Sequence, residues 1–214
     1  MAGTVARWTD DGQEVLYLLV TDGNRGTHDP ALTPAAIAAI RRAEQRAAAA
    51  VVGVREVLFL GYDDATLQPT LEVRRAIAGE IRRYQPTTVV CQDPSAYWLH
   101  SGYINHPDHR AAGEACLAAV FPTASTRLAF PELLTAGLEP HAVREVYLTM
   151  TIQPDVWIDI EATMARKLAA WAENHSQVSR PGVVEQQIMA RAREAAQDQP
   201  GMRYAEAFRR FTLL

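Results

Sequence analysis

The segment Asn105-His106-Pro107-Asp108-His109 places two imidazoles three residues apart with a carboxylate between them. Imidazoles with a neighbouring carboxylate can hold a metal ion, move a proton, or divide the two tasks between the rings. The sequence then runs as RAAGEACLAAV, a helical pattern, so the segment sits at a helix start. Pro107 suits the first helical position, His106 the cap, and Asp108 the first turn, where its charge favours the helix dipole. Side chains three apart on a helix are neighbours, so both rings can face one cavity. Ala112, Cys116 and Val120 follow His109 at helical spacing, which turns its ring toward the buried side. A ring so placed needs a partner at each nitrogen, and Ser, Thr, Asp or Asn would cap the helix better than His. Both points favour a working pair. The spacing leaves open which ring binds metal and which handles protons.

A hydrolytic zinc site needs three protein ligands and an open position for water. Cys116 lies about 10 Å along the helix from His109, too far to share an ion. His28, His100, His141 and His175 are scattered without ligand spacing, although His175 in ENHSQ is a candidate to reach the site. Further ligands must come from aspartates at strand ends or from outside the chain.

The elements that would position these groups alternate between strand and helix patterns. EVLYLLV (14–20), EVLFLGYDD (56–64) and TTVVCQDP (87–94) contain short apolar runs expected to form strands. Residues 34–54, 71–86 and 108–120 read as helices, with Val73, Ile77, Ile81 and Tyr84 on one face of the second. Short apolar strands separated by helices indicate a parallel sheet covered on both faces. Strands are expected again at 144–150 and 155–160, and helices at about 162–177 and 184–198, after a proline-containing loop region at 121–141. Asp22, Asp63, Asp64 and Asp93 stand where the first three strands end. In open parallel sheets ligands bind beyond those ends. A single Asp there is ordinary turn chemistry; several, together with the histidine pair, point to a site.

Composition narrows the function. With 214 residues, 48% hydrophobic and 21% charged, the chain suits one globular domain spanning 1–214. A net charge of −4 argues against a nucleic-acid binder, and no run approaches the ~20 apolar residues of a membrane span. Two cysteines and no signal-peptide pattern suggest the cytoplasm. No G-x-G-x-x-G follows a strand, which weakens a dinucleotide-binding oxidoreductase. Trp98, Trp157 and Trp171 read as core or rim packing, and Cys91 as an inert core thiol.

Taken together, several stretches resemble the PIG-L / LmbE-like N-acetyl-sugar deacetylases. They are GTVARWTDDGQEVLYLLVTDGNRG, RRAEQRAAAAVVGV with Arg41-x-x-Glu44, EVLFLGYDDATL, and QDP followed by NHPDHRAAGEA. PHAVREVYL and KLAAWAENHSQ extend the likeness, which covers most of the chain. The resemblance implies a Rossmann-like, three-layer α/β fold with a mostly parallel sheet. It also implies removal of an acetyl group from an N-acetylated amino sugar or similar amide by a zinc-bound water. Carried over by residue, His109 becomes a zinc ligand and His106 stabilises or protonates the tetrahedral intermediate. Asp108 holds His106 in its charged, oriented form, while Arg41 and Asp64 contact substrate. The family's H-P-D-D-x-E element, the source of two zinc ligands and the general base, belongs just before GTVARW, but the chain begins at Met1-Ala2. The expectation is therefore one zinc ion (Zn2+) whose other ligands lie upstream of Met1, a sheet lacking its first strand, and weak zinc binding with poor catalysis by the chain as written. The expected partner is a small N-acetylated sugar conjugate, with homo-oligomerisation left open. The competing reading is a family member that binds a sugar or a partner protein without hydrolysis.

Overall fold

The computed structural model describes residues 1–100, 103–178 and 180–213. In chain order the elements are α1 (Ala2–Asp10), β1 (Leu16–Thr21), α2 (Pro34–Val51), β2 (Glu56–Tyr62), α3 (Leu71–Tyr84), β3 (Thr88–Gln92), β4 (Trp98–His100), β5 (Tyr103–Ile104) and α4 (Pro107–Ala118). They continue with α5 (Pro131–Thr135), β6 (Glu145–Thr149), β7 (Val156–Asp159), α6 (Met164–Ala172), α7 (Pro181–Ala196) and β8 (Ala205–Thr212). The chain is thus α/β, and its contacts group into two compact units. One comprises Met1–Asp64 with Trp157–Ala207, the other Ala65–Val156 with Phe208–Leu214.

In the first unit β1 and β2 run parallel, with Leu16 opposite Glu56 and Leu19 opposite Phe59. Alanine-rich α2 follows from high helix propensity and a sequence-encoded start. Thr33 Oγ1 accepts the Ala36 amide at 3.2 Å, and Pro34 occupies the first turn. The helix stops where Gly53 takes φ +79°, a left-handed conformation suited to glycine. Val5 and Ala6 of α1 pack with Ala48 and Val52 beside Tyr17 of β1. A second cluster joins Ile160, Met164, Ala192 and Tyr204. At the start of α1, Glu206 of β8 accepts the amides of Gly3 and Thr4 at 3.3 and 2.8 Å and pairs with Lys167.

In the second unit β3 pairs with β6 in parallel register, and β6 pairs on its other side with β8 in antiparallel register. Flanked on both sides, β6 buries Val146, Tyr147 and Leu148. By contrast every residue of β1 and of β3 is only half-buried. Each of those strands pairs on one side alone among the described residues. Apolar sequence alone therefore overstated their burial. Helix α4 lies against β3 so closely that a Cβ on Gly113 would stand 2.2 Å from the Gln92 carbonyl oxygen. The buried face of the helix runs through Asp108, Ala111 and Ala115, one position round from the expected Ala112 and Cys116, while Val120, the third residue of that stripe, is buried as expected. Two further departures concern the second half of the chain. The helix expected at 162–177 is shorter, ending in a separate 3-10 turn at His175–Gln177, and β8 was not foreseen. No described helix is long and apolar enough to cross a membrane.

Candidate functional site

The strongest concentration of polar chemistry in the second unit is the start of α4. His106 is its N-cap, as the sequence implied, and the ring itself does the capping: Nδ1 accepts the Asp108 amide at 3.2 Å. A ring accepting at Nδ1 carries its proton at Nε2. One turn on, His109 Nδ1 lies 3.2 Å from Asn105 Oδ1. Asn105 is wholly buried, and its Nδ2 donates to the Ala96 carbonyl at 2.8 Å, which fixes the amide so that Oδ1 faces the ring. His109 Nδ1 must then be the donor, which puts the ring's lone pair on Nε2. The two ring centroids are 5.5 Å apart. Read as neutral rings, the two imidazoles are thus hydrogen-bonded in opposite senses at Nδ1.

Asp108 is buried and its carboxylate accepts two backbone amides, Ala65 at 2.6 Å and Leu67 at 3.2 Å. Its Oδ2 stands 4.0 Å from His106 Nδ1, too long for a hydrogen bond. His106 is oriented by the Asp108 amide, while the Asp108 carboxylate anchors the 65–67 turn. Ala65 in that turn has φ +64°, strained for a residue with a side chain. Asn105 escaped the sequence reading, since its only signal was its place immediately before the first histidine.

In the first unit Arg41 and Asp64 converge on Gly26. A Cβ there would lie 3.2 Å from an Arg41 terminal nitrogen and 3.7 Å from Asp64 Oδ2. Arg41 donates to the Gly26 carbonyl at 2.8 Å, and its Nε is buried with no partner among the described residues. Burial lowers the pKa of this guanidinium, against the pull of the Glu44 and Asp64 carboxylates. Glu44, also buried, accepts the amide and hydroxyl of Ser176 at 2.6 and 2.7 Å. Its neighbour His175 stands 77% exposed beside Glu173. His141 meets the Pro86 carbonyl at 2.7 Å, a packing role. The strand-end aspartates have partners of their own: Asp22 takes Arg42, Asp63 takes Asn24 and Arg25, and Asp93 takes the amide and hydroxyl of Ser95.

Zinc is the ion implied by the family resemblance. His109 fits one place in its shell: a nitrogen ligand whose other ring nitrogen is braced by a buried acceptor, as metal-bound imidazoles are. One imidazole is part of the three-ligand set a hydrolytic zinc requires.

Comparison with known proteins now fixes the family. The PIG-L family, GlcNAc-PI de-N-acetylase, matches residues 1–120, more than half of the chain, and the chain belongs to it. It is 36% identical over 177 residues to the diacetylchitobiose deacetylase of Thermococcus kodakarensis, covering 83% of this chain and 64% of that one. It is 31% identical over 125 residues to a probable N-acetyl-alpha-D-glucosaminyl L-malate deacetylase 2 of Bacillus anthracis, covering 56% and 52% respectively. The chain thus spans less than two thirds of the length of both relatives. Its fold matches the N,N'-diacetylchitobiose deacetylase of Pyrococcus horikoshii, solved with its inhibitor MPG, at a TM-score of 0.90 and 32% identity, over 99% of this chain and 78% of that one.

Proposed function

We propose that the protein is a metal-dependent N-deacetylase that releases acetate from an N-acetylated amino sugar. The observation supporting this most directly is the hydrogen bonding of the two rings at the start of α4, His106 Nδ1 to the Asp108 amide and His109 Nδ1 to Asn105 Oδ1, in a chain of a family whose named relatives are deacetylases. Bound zinc would acidify water to a pKa of about 7 and polarise an amide carbonyl. The chain's own residues divide the remaining work. His109 presents its Nε2 lone pair to the cation, and Asn105 keeps the ring in that tautomer. His106 presents an Nε2–H, the donor needed where the carbonyl oxygen gains negative charge as water adds to its carbon. The carbon–nitrogen bond then breaks, the nitrogen leaves as a protonated amine, and acetate is the second product. Arg41, whose buried Nε has no partner among the described residues, and Asp64 are proposed to hydrogen-bond sugar hydroxyls. A cytoplasmic setting, in which Cys91 and Cys116 stay thiols, belongs to the same proposal.

The test separates the two histidines. Deacetylation of N-acetylglucosamine conjugates and zinc content are measured for His106→Gln and His109→Ala. His106→Gln is expected to keep its zinc and lose roughly 10²–10³-fold in kcat, the loss typical of a removed oxyanion donor. His109→Ala is expected to lose both zinc and activity. Zinc retained by His109→Ala, or lost by His106→Gln, would overturn the assignment.

A further inference from the structure

Strand β3 and helix α4 are related as strand and crossover helix: β3 pairs in parallel with β6, and α4 lies between the two in sequence and packs on β3. A helix in that position runs back along the strand it follows. Gly113 marks a close approach of the two elements, opposite the Gln92 carbonyl. Three residues further along the helix is about 4.5 Å, and one residue back along the strand is about 3.3 Å. Cys116 is therefore brought level with Cys91 to within about 1 Å along the strand. The side chains complete the match, because the Cys91 thiol is hydrogen-bonded to Cys116. These are the two cysteines of the chain, and both are free thiols, half-buried rather than sealed in the core.

We propose that Cys91 and Cys116 are an oxidation site, closed by a peroxide to an intramolecular disulfide that latches α4 to β3 and reopened by a thiol reductant. The segment between them, about 25 residues, contains Asn105, His106 and His109, so the latch would close a covalent loop around the start of α4. The thiolate of Cys116 attacks one peroxide oxygen, the O–O bond breaks, and the departing hydroxide takes the thiol proton as water. The Cys91 sulfur then attacks the sulfenic sulfur of Cys116, the S–O bond breaks, and a second water leaves with the Cys91 proton. Two electrons pass from the thiol pair to the peroxide, and a reductant returns them through a mixed disulfide. The order of attack follows from the surroundings. The hydrogen bond with Cys116, burial, and the charges of Cys116 and Asp93 hold the Cys91 thiol well above the ordinary thiol range. The thiolate is the nucleophile, so Cys116 meets the oxidant first and Cys91 resolves it.

Three other roles fit the pair less well. An inert core thiol, the role expected of Cys91 from sequence, needs no second sulfur facing it from another element. A structural metal site needs about four ligands, and among the described residues no third His, Cys, Asp or Glu joins the two sulfurs to form one. A bridge between two copies would have to part thiols that already meet within one chain. In a reducing compartment the pair rests as thiols, and disulfides that do form there are characteristically transient and redox-sensing.

The experiment treats the reduced protein with a slight molar excess of hydrogen peroxide and digests it without reductant for mass spectrometry. The expected product is a pair of peptides joined through Cys91 and Cys116, two hydrogens lighter than the reduced peptides together. Titratable thiols should fall from two per chain to none and return with dithiothreitol, and a non-reducing denaturing gel should show a single-chain band throughout. Closing a loop of this length should raise Tm by roughly 5–10 °C, a rise absent from Cys91→Ser and Cys116→Ser. Thiols that survive the peroxide overturn the proposal, as do sulfinic or sulfonic acids without joined peptides and a bridge between two chains. A rise in Tm of equal size in Cys116→Ser overturns it as well. Peptide mapping of the parent decides the matter alone should either serine variant fail to fold.

Discussion

Two aspartates in each unit are satisfied by different kinds of partner. In the first, Asp22 receives two nitrogens of Arg42, and Asp63 receives Arg25 and Asn24. In the second, Asp93 takes the amide and hydroxyl of Ser95, and Asp108 takes the amides of Ala65 and Leu67. A cationic side chain swings on a flexible stem, so such a pair mainly balances charge and, when exposed, contributes about 0–1 kcal/mol. A backbone amide cannot swing. A carboxylate that accepts from one dictates where the chain runs. Asp22 and Asp63 thus mainly balance the charge of neighbouring arginines, whereas Asp108 positions the polypeptide around the two histidines.

The largest effect should follow from cutting that backbone tie. In Asp108→Ala the Leu67 amide remains buried without an acceptor, and the strained Ala65 turn loses its anchor. An orphaned buried donor to a charged acceptor is worth about 2–4 kcal/mol, or a fall in Tm of roughly 5–12 °C for a chain of this size. Ala65→Gly in the same background should recover about 1 kcal/mol by relieving the positive φ. Calorimetry of the single and double variants checks both. No rescue would mean that Asp108 acts through something other than this turn. A smaller effect is expected one residue before the histidine pair. Asn105→Ala should weaken zinc binding 10–100-fold, the usual consequence of losing the group behind a ligating imidazole. Asn105→Asp keeps an acceptor for His109 but loses the donor to Ala96, so it should restore zinc affinity without restoring Tm. Equal zinc affinity in Asn105→Ala and the parent would remove Asn105 from the site.

How far the sequence went depended on whether the deciding contact was local. Helix starts were legible because Pro34 and the His106-Pro107-Asp108 run mark them in adjacent residues, although the Thr33 cap emerged only in the fold. The strand-end aspartates were legible for the same reason. Tautomers were not, because they turn on Asn105 being buried and on the Ala96 carbonyl, nine residues away in sequence. Arg82 reads in sequence as a polar position near the end of a helix. Folded, it is buried, and its guanidinium donates to the carbonyls of Thr123, Ala124, Thr126 and Ala129 in a stretch that otherwise reads only as loop. Strand β8 was missed because Glu206, Arg209 and Arg210 hide its alternation; Glu206 is turned inward to meet the start of α1. Trp98 was expected to pack and instead faces solvent, a property of a hairpin too short to cover its own side chains.

The smallest expected effect is the counterpart in the first unit. Asp63 is more than half exposed, and hydrogen bonds from Asn24 and Arg25, with the Arg25 charge, hold its carboxyl below the usual carboxylate range. A carboxyl depressed on folding stabilises the native state above its unfolded pKa, about 3.9 for Asp, and loses that contribution as pH falls through the lower folded value. Asp63→Asn should therefore lower Tm by no more than about 1–2 °C at pH 7, and the difference should shrink as the pH falls below the ordinary carboxylate range. Thermal melts of parent and variant across that range measure both quantities. A loss as large as that of Asp108→Ala, or a difference that grows on acidification, would show that Asp63 holds backbone in place as Asp108 does. The distinction between charge-balancing and chain-positioning acids would then fail.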